Sequence, residues 1–151
     1  MANLETLSDH HEIQNLIAGY CDALDSRDWD AMDDIFTPDA LVDYSATGGM
    51  KGNFQEAKAY LDRALAQFKG SQHLVGLPVI KLDGDRATAR TIVFNPMVIE
   101  HEGSEQVFFV GAWYIDTFTR TAEGWRICER REECSFFHNL PEHFQAVDPS
   151  N

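Results

Sequence analysis

The sequence predicts an α+β fold in which three N-terminal helices pack on a strongly curved, mainly antiparallel sheet. Up to about residue 68 most apolar residues recur every three or four positions, the period of amphipathic helices, whereas from His73 onward the pattern becomes extended. Turn signals then separate four β-rich runs, two of them so long that a sheet built from them must bend and coil. Helices followed by a long meander are typical of a layered architecture, with the helices across the concave side and space for a pocket between the layers.

Two helices are predicted before residue 40. The first runs from Leu4 to about Asp25, because one stripe of it is apolar. The members of this stripe are Ile13, Leu16, Ile17, Tyr20, Cys21 and Leu24. Ser26-Arg27-Asp28 then offers capping side chains for a second helix of about two turns, which Thr37-Pro38-Asp39 stops. The apolar residues of this second helix are Trp29, Met32, Ile35 and Phe36.

A short strand, a glycine-rich loop and a third helix are predicted next. The strand covers Ala40 to Tyr44, and the loop covers residues 45–52, where three glycines permit unusual backbone angles. The third helix has a buried stripe from Phe54 to Phe68, and Gly70 stands where a C-terminal cap is expected.

The second half of the chain is predicted to be an antiparallel meander. Its turns are Asp83-Gly84-Asp85, Glu102-Gly103-Ser104 and Ala122-Glu123-Gly124. Its four runs are His73–Leu82, Arg86–Glu100, Gln106–Arg120 and Trp125–Phe137. We predict one domain over residues 1–151, with its core at about 5–137 and a loosely specified C-terminal tail, 138–151, that could serve as a lid or an arm.

The composition excludes several classes of function. With 25 acidic and 12 basic residues the net charge is −13, which repels nucleic acid and anionic membrane surfaces. The first residues lack the basic start and apolar run of a signal peptide, and no apolar stretch is long enough to span a membrane, so a cytoplasmic location is expected. The three cysteines have no CxxC spacing and are expected to be buried thiols.

Asp25 and His73 are the strongest candidates for chemistry. Asp25 ends the first helix on the face of Tyr20 and Leu24, and His73 opens the first long run facing the helix layer, so the two could meet at a pocket. A carboxylate that accepts a proton from one imidazole nitrogen fixes the tautomer and leaves the other nitrogen as a base. The alternatives are that Asp25 only caps the second helix and that His73 is an ordinary core histidine.

Other side chains could complete such a site. Tyr20, Tyr44 and Arg130 could stabilise developing negative charge, although tyrosines often only fill cores and Arg130 stands in a charged run that could be surface. Residues predicted to line an apolar substrate pocket, or else to fill the core, are Phe68, Phe94, Phe109, Trp113 and the Gly49-Met50 end of the loop.

Metal and cofactor sites are not predicted. The remaining histidines show no i, i+4 pair with a helper carboxylate on a helix face, and are expected at the surface. Dinucleotide, phosphate-loop and serine-hydrolase motifs are absent from the sequence, which leaves side-chain acid–base chemistry.

Four short segments carry a family resemblance. They are Tyr20-Cys-Asp-Ala-Leu-Asp25-Ser-Arg-Asp-Trp29-Asp, Leu41-Val-Asp-Tyr44, Gln72-His73-Leu-Val-Gly and Gly124-Trp125-Arg. On these segments the chain, from about residue 5 to residue 137, resembles the SnoaL-like branch of the NTF2-like superfamily. Within it the chain is similar to the scytalone dehydratases, bile-acid 7α-dehydratases and hexachlorocyclohexane dehydrochlorinases.

The resemblance implies a cone-shaped α+β barrel and a cofactor-independent lyase with an Asp–His dyad. Asp25 and His73 fall at the dyad positions, Tyr20 and Tyr44 match active-site tyrosines of the dehydratases, and Arg130 matches a pocket arginine of the dehydrochlorinases. Trp113 matches a pocket phenylalanine of the same enzymes. The second histidine of the scytalone dehydratases has no counterpart near residues 110–112, and Tyr20 replaces a lysine of the dehydrochlorinases, so neither substrate is inherited.

Three functions follow as hypotheses. The first is a lyase of the dehydratase or dehydrohalogenase type, acting on a small apolar or aromatic substrate with His73 as base. The second is a formaldehyde-releasing C–C lyase on lignin-derived diaryl compounds, and the third is a non-catalytic ligand-binding or assembly subunit of the same fold. The resemblance also implies a homo-oligomer, a trimer before a dimer, because the outer face of the sheet needs cover.

Overall fold

The computed structural model describes residues 3–142 and 144 of the chain. Within these residues, two α-helices pack against an eight-stranded mixed sheet. The helices are α1 (Leu4–Ser26) and α2 (Phe54–Leu65). The strands are β1 (Phe36–Asp43), β2 (Lys51–Asn53), β3 (Phe68–Ser71), β4 (Leu74–Val75), β5 (Val79–Asp83), β6 (Arg86–His101), β7 (Ser104–Thr121) and β8 (Gly124–His138). The predicted α+β class is therefore confirmed.

The sheet is built around the three long strands. Its order is β2-β1-β8-β7-β6-β3, with β4 and β5 also paired to β6. The β6–β7–β8 meander is antiparallel, and the pairing of β1 with β8 is parallel, so the sheet is mixed although mainly antiparallel. Turns fall at the predicted positions, and Gly84, Gly103 and Gly124 take positive φ angles there.

The prediction of three helices is wrong. The segment expected to form the second helix makes only a five-residue 3-10 helix, Asp30–Asp34. Just before it, the side chain of Asp28 accepts a hydrogen bond from the backbone N–H of Ala31. So short a helix is marginal without tertiary support. The backbone carbonyl of Ile35 accepts a hydrogen bond from the N–H of Ile127, and Phe36 pairs with β8. These sheet hydrogen bonds replace the helical ones, so the helix ends here.

Two further predictions change around the start of the sheet. α2 ends at Leu65 rather than near Phe68, and Gly70, expected as its cap, lies within β3, which pairs with the far half of β6. The predicted run His73–Leu82 is split into β4 and β5 by residues 76–78. Pro78 has no N–H to donate to the ladder, which explains a break at this point.

Arg27 joins three elements at the end of α1. It terminates the helix in the left-handed conformation with φ 60°, and its guanidinium donates hydrogen bonds to the carbonyls of Leu24 and Leu65 and to the hydroxyl of Ser71. The C-terminal end of α1 is thereby fixed next to the C-terminal end of α2 and the end of β3. This connection places Asp25 beside the segment that carries His73.

The other half of α1 is tied to the sheet through Asp9. This buried carboxylate accepts two hydrogen bonds from Arg120, at 2.8 and 2.9 Å, and one from the indole N–H of Trp125, at 2.9 Å. α1 is thus attached to β7 and β8 at one end and to β3 at the other. Neither α1 nor α2 is long and apolar enough to cross a membrane.

Candidate active site

A cavity of about 120 Å³ lies between the helices and the inner face of the sheet. A single water needs about 10–15 Å³ on the same scale, so the cavity has room for a small organic molecule. Its apolar wall comes from α2 and from the inner faces of β6 and β7. The polar side chains that line it are Tyr20, Tyr44, Thr47, Tyr60, Gln67, His73, Asn95, Tyr114 and Glu132.

Asp25 and His73 form a hydrogen-bonded pair at this cavity. Nδ1 of His73 lies 2.7 Å from Oδ1 of Asp25, and the backbone N–H of His73 donates to Oδ2 at 2.8 Å. Ser71 adds a third hydrogen bond to the same carboxylate. Because a carboxylate only accepts, Nδ1 carries a proton, and in the neutral imidazole the other ring nitrogen, Nε2, has the lone pair. The His73 side chain is only 7% exposed.

Asp25 is less buried than the sequence predicts. Its side chain is 28% exposed, so it stands on the outer side of His73 rather than inside the cavity. Partial burial acts to raise the pKa of Asp25, but the hydrogen bonds from the ring and backbone of His73, together with that of Ser71, outweigh it and hold the pKa below its usual value. The carboxylate is therefore ionised and available to stabilise an imidazolium.

Asn95 occupies the other side of the imidazole. Its amide nitrogen lies 3.1 Å from Nε2 of His73, and within the described part of the chain its oxygen has no hydrogen-bond partner. An amide can present either an N–H to the neutral ring or its oxygen to a protonated one. Sequence reasoning missed this residue. Its signal was the alternation of β6, which turns Val93, Asn95 and Met97 inward.

Tyr20 and Tyr44 meet inside the cavity. Their hydroxyl oxygens lie 2.7 Å apart, and both rings are buried. Burial raises the pKa of both tyrosines above the usual value, so both are neutral phenols. One hydroxyl donates to the other, and the accepting hydroxyl keeps its own proton free to point at a ligand.

Arg130 lies behind the cavity wall instead of in it. Its Nε and Nη2 donate to the two oxygens of Asp116, each at 2.7 Å, and its guanidinium stacks 4.1 Å from the ring centres of both Tyr20 and Tyr114. The side chain is wholly buried, so the expectation of a charged surface run does not hold at this position. Arg130 supports the tyrosines that a ligand would touch.

Glu132 is a second lining residue that the sequence did not indicate. The hydroxyl of Thr47 donates to its Oε2. Burial raises the pKa of Glu132 to about 7, against the smaller lowering effects of the Thr47 hydrogen bond and of Arg130. The sequence predicts that the side chains of Glu129–Glu133 alternate between the two faces of a strand. It does not indicate which of these charged residues face the cavity.

The predicted apolar pocket is only partly right. Phe68 lines the cavity, beside Phe144, and Gly49 lines it from the loop, while Met50 packs in the core. Phe94, Phe109 and Trp113 point to the opposite face of the sheet, because on β6 and β7 the inward residues are odd and even respectively. On that face the guanidinium of Arg90 stacks 3.5 Å from the Trp113 ring, and Phe94 packs against Phe109.

The described residues hold no group of three or more His, Cys, Asp or Glu that could bind a metal ion. Cys21 is buried as expected, whereas Cys128 is half-buried and Cys134 is exposed on β8. His143 lies outside the described residues.

The sequence comparison decides the family. The family model for the SnoaL-like domain matches residues 5–131 of the chain. The chain belongs to the SnoaL-like family. One relative is the uncharacterised protein Rv2910c of Mycobacterium tuberculosis (strain ATCC 25618 / H37Rv). It is 43% identical to this chain over 136 residues, which cover 90% of this chain and 92% of that protein. The resemblance predicted from the sequence is thus confirmed.

Solved structures show that this SnoaL-like protein shares its fold with NTF2-like proteins. A type 2 hexachlorocyclohexane dehydrochlorinase, LinA, superposes with a TM-score of 0.81 at 16% identity, over 97% of this chain and 98% of that one. A protein of Novosphingobium aromaticivorans DSM 12444, provisionally identified as a scytalone dehydratase, gives 0.77 at 19% identity, over 95% and 93%. At these identities the likeness concerns the fold alone.

Proposed function

We propose that this SnoaL-like protein is a cofactor-independent lyase that eliminates a leaving group from a small apolar or aromatic substrate. The observation that carries the proposal is the 2.7 Å contact between Asp25 and Nδ1 of His73, which turns Nε2 toward the cavity as the nitrogen that can act as a base. The dehydrochlorinase and the dehydratase-like protein that share the fold support the same class of reaction. The names of these two proteins describe loss of hydrogen chloride and loss of water.

His73 is the general base of the proposed reaction. Its Nε2 removes a proton from a substrate carbon, and the developing imidazolium is stabilised by the ionised carboxylate of Asp25. Asn95 assists the same change, because rotation of its amide replaces the N–H facing Nε2 with an oxygen that accepts from the protonated ring. This rotation also supplies a partner for an oxygen that is otherwise buried without one.

The tyrosine pair stabilises the negative charge that develops on the leaving group or on an enolate oxygen of the substrate. The free hydroxyl proton of the pair points at the cavity, where it donates to an enolate oxygen or to the departing group. Arg130 stacks on Tyr20 and Tyr114 and holds them in place without touching the substrate. As the substrate loses a proton and a leaving group from adjacent carbons, the product gains a double bond.

The test is turnover of a panel of apolar alcohols, alkyl halides and diaryl diols by wild type and by His73→Ala and Asp25→Asn. We expect each substitution to lower kcat by roughly 10²–10⁴-fold on any substrate that is converted, since general base catalysis contributes about that much. His101→Ala, at the outer end of β6 with a side chain 52% exposed, is the matched control and keeps full activity. Thermal unfolding must show that all variants fold.

The outcomes separate the candidate functions. Full activity of His73→Ala on a converted substrate would falsify the proposal. Release of formaldehyde from the diols, and no elimination, assigns the C–C lyase reaction to the same base. Tight binding of panel members without conversion by the wild type indicates a ligand-binding subunit.

A further inference from the structure

The proposed elimination gives no role to Glu132, which lies at the other end of the cavity from the base His73. Asn95, which contacts the base His73, pairs across β6 and β7 with Val110, whereas Glu132 pairs across β7 and β8 with Tyr114. Val110 and Tyr114 are four residues apart on β7, so these two places are separated by roughly 13 Å along the strand. The cavity therefore has an end that holds the base, at His73, and a second polar end at Glu132, with the tyrosine pair beside it.

Glu132 is held in position at its end. Thr47, in the short 3-10 helix Ser45–Thr47 that follows β1, donates its hydroxyl to one carboxyl oxygen, and the other oxygen has no such partner among the described residues. The side chain is half-buried and belongs to the cavity lining. One oxygen atom is thus fixed by the protein, and the other is available to a ligand.

The groups around Glu132 leave it close to the point of ionisation. Tyr20 from α1, Tyr60 from α2 and Tyr114 from β7 face it as neutral phenols, since burial raises the pKa of each. Tyr44, at the end of β1, is neutral for the same reason. These aromatic neighbours supply no charge that would hold Glu132 ionised.

The charged neighbours of Glu132 nearly cancel. Arg130 on its own strand favours the carboxylate, but Asp116 on β7 neutralises that guanidinium in a bidentate pair. Asp43 on β1, which has Lys51 as its own partner, adds a weaker repulsion. Burial dominates, and it raises the pKa of Glu132 to about 7. At lower pH the carboxyl is a neutral hydrogen-bond donor.

We propose that Glu132 is the specificity-determining residue of the cavity, which binds an uncharged carbonyl or hydroxyl oxygen of the substrate and, in its ionised form, excludes carboxylate groups. The inference deepens the proposed function and rests on it only in taking this cavity as the substrate site. A substrate that fits both ends carries an acidic C–H toward His73 and a neutral oxygen group toward Glu132. Once Glu132 is ionised, an anionic group at the second end meets a half-buried like charge, which disfavours its binding.

Binding of three matched probes tests this inference without any turnover. Acetophenone, benzoate and benzylamine have one ring and nearly one size, and differ in carrying a neutral carbonyl, a carboxylate and an ammonium. Calorimetry at pH 6 and pH 8 is expected to show acetophenone binding roughly three- to tenfold weaker at pH 8, as the donor proton is lost. Benzylamine is expected to show the opposite trend. Benzoate is expected to bind the wild type at least about tenfold more weakly than acetophenone at pH 8, where Glu132 is ionised.

Glu132→Gln is the decisive variant, because an amide keeps a donor but cannot ionise. It is expected to abolish the pH dependence of acetophenone binding and to improve benzoate binding at pH 8 by about tenfold. Thr47→Val is the second variant. It removes a hydrogen bond that lowers the pKa of Glu132, so the midpoint of acetophenone binding moves to higher pH. Titration of the ¹³C-labelled Glu132 carboxyl by NMR gives the same midpoint without a ligand.

Several results would overturn the inference. These are a Glu132 midpoint below about pH 5, benzoate binding as tightly as acetophenone to the wild type at pH 8, an unchanged pH dependence in Glu132→Gln, or no binding of any probe. Failure of the lyase proposal is recognised separately, because it would appear as full turnover by His73→Ala on a converted substrate. The pH dependence of probe binding and its loss in Glu132→Gln are measured without any turnover.

Discussion

Three carboxyl groups of this protein differ in ionisation and in role because their surroundings differ. Asp25 is partly exposed and accepts three hydrogen bonds, which favour its charged form and let it orient His73. Asp116 is wholly buried and is matched by the Arg130 guanidinium. Glu132 is half-buried with one hydroxyl partner, and its proton is retained to near neutral pH. Of these, sequence reasoning identified Asp25 alone, because helix spacing places it and the partnership of a carboxylate with a histidine is chemically distinctive.

The raised pKa of Glu132 makes a prediction about stability. A carboxyl whose pKa is higher in the folded state than in the unfolded state contributes stability that is complete below the unfolded value, 4.5, and is lost as pH rises through the folded value, about 7. Relative to Glu132→Gln, the wild type should therefore lose on the order of 2–3 kcal/mol of unfolding free energy between pH 4.5 and pH 8. Urea unfolding at several pH values measures it, and parallel curves for the two proteins would contradict the assignment.

At the scale of the element, alternation on the strands explains both the success and the failure of the sequence analysis. The three long strands and their turns were predictable, since their residues alternate and glycine marks each turn. The side of each strand that faces the cavity was not predictable, because β6 and β7 carry apolar residues on both sides. Phe94 and Trp113 were therefore predicted to line the pocket, although Val93 and Ala112 do so. The prediction of the second helix was wrong for a different reason: pairing with β8 stabilises this segment more than its weak local helix propensity does.

The β7–β8 pair carries a prediction about stability at this scale. Arg130→Met should lower the unfolding free energy by roughly 3–5 kcal/mol, because it leaves the Asp116 carboxylate buried without its partner. Asp116→Leu should do the same by leaving the guanidinium unpaired. The double variant should be more stable than either single one, since it removes both charges.

Urea unfolding of the four proteins forms a double-mutant cycle for this pair. A result in which Arg130→Met is as stable as the wild type, but has lost turnover, would restore to Arg130 the catalytic role that the sequence suggested. The Nη1 atom of Arg130, which has no hydrogen-bond partner among the described residues, would then be the group to consider.

At the scale of the whole molecule, a highly acidic protein presents an apolar outer sheet face. One row crosses four strands at the register Leu74, Phe94, Gly111 and Phe136. Leu74, Phe94 and Phe136 are 51%, 41% and 51% exposed, and Gly111 is covered by the Phe136 ring, since a Cβ there would come within 2.3 Å of it. Exposed apolar patches of this kind mark association surfaces on soluble proteins.

We expect a second and a third copy of the chain to cover this row, giving a trimer, with a dimer as the second possibility. Light scattering coupled to gel filtration should report the trimer for the wild type and a monomer for Phe136→Lys, because a lysine would introduce a charge into the apolar contact. Leu41→Lys is the control: Leu41 is 60% exposed on β1, outside the row, and its substitution should leave the mass unchanged. Since each copy carries a net charge of −13, association should weaken when salt is lowered and repulsion is less screened. A wild type that remains monomeric at high protein concentration and high salt contradicts this assembly and leaves the apolar row for another partner.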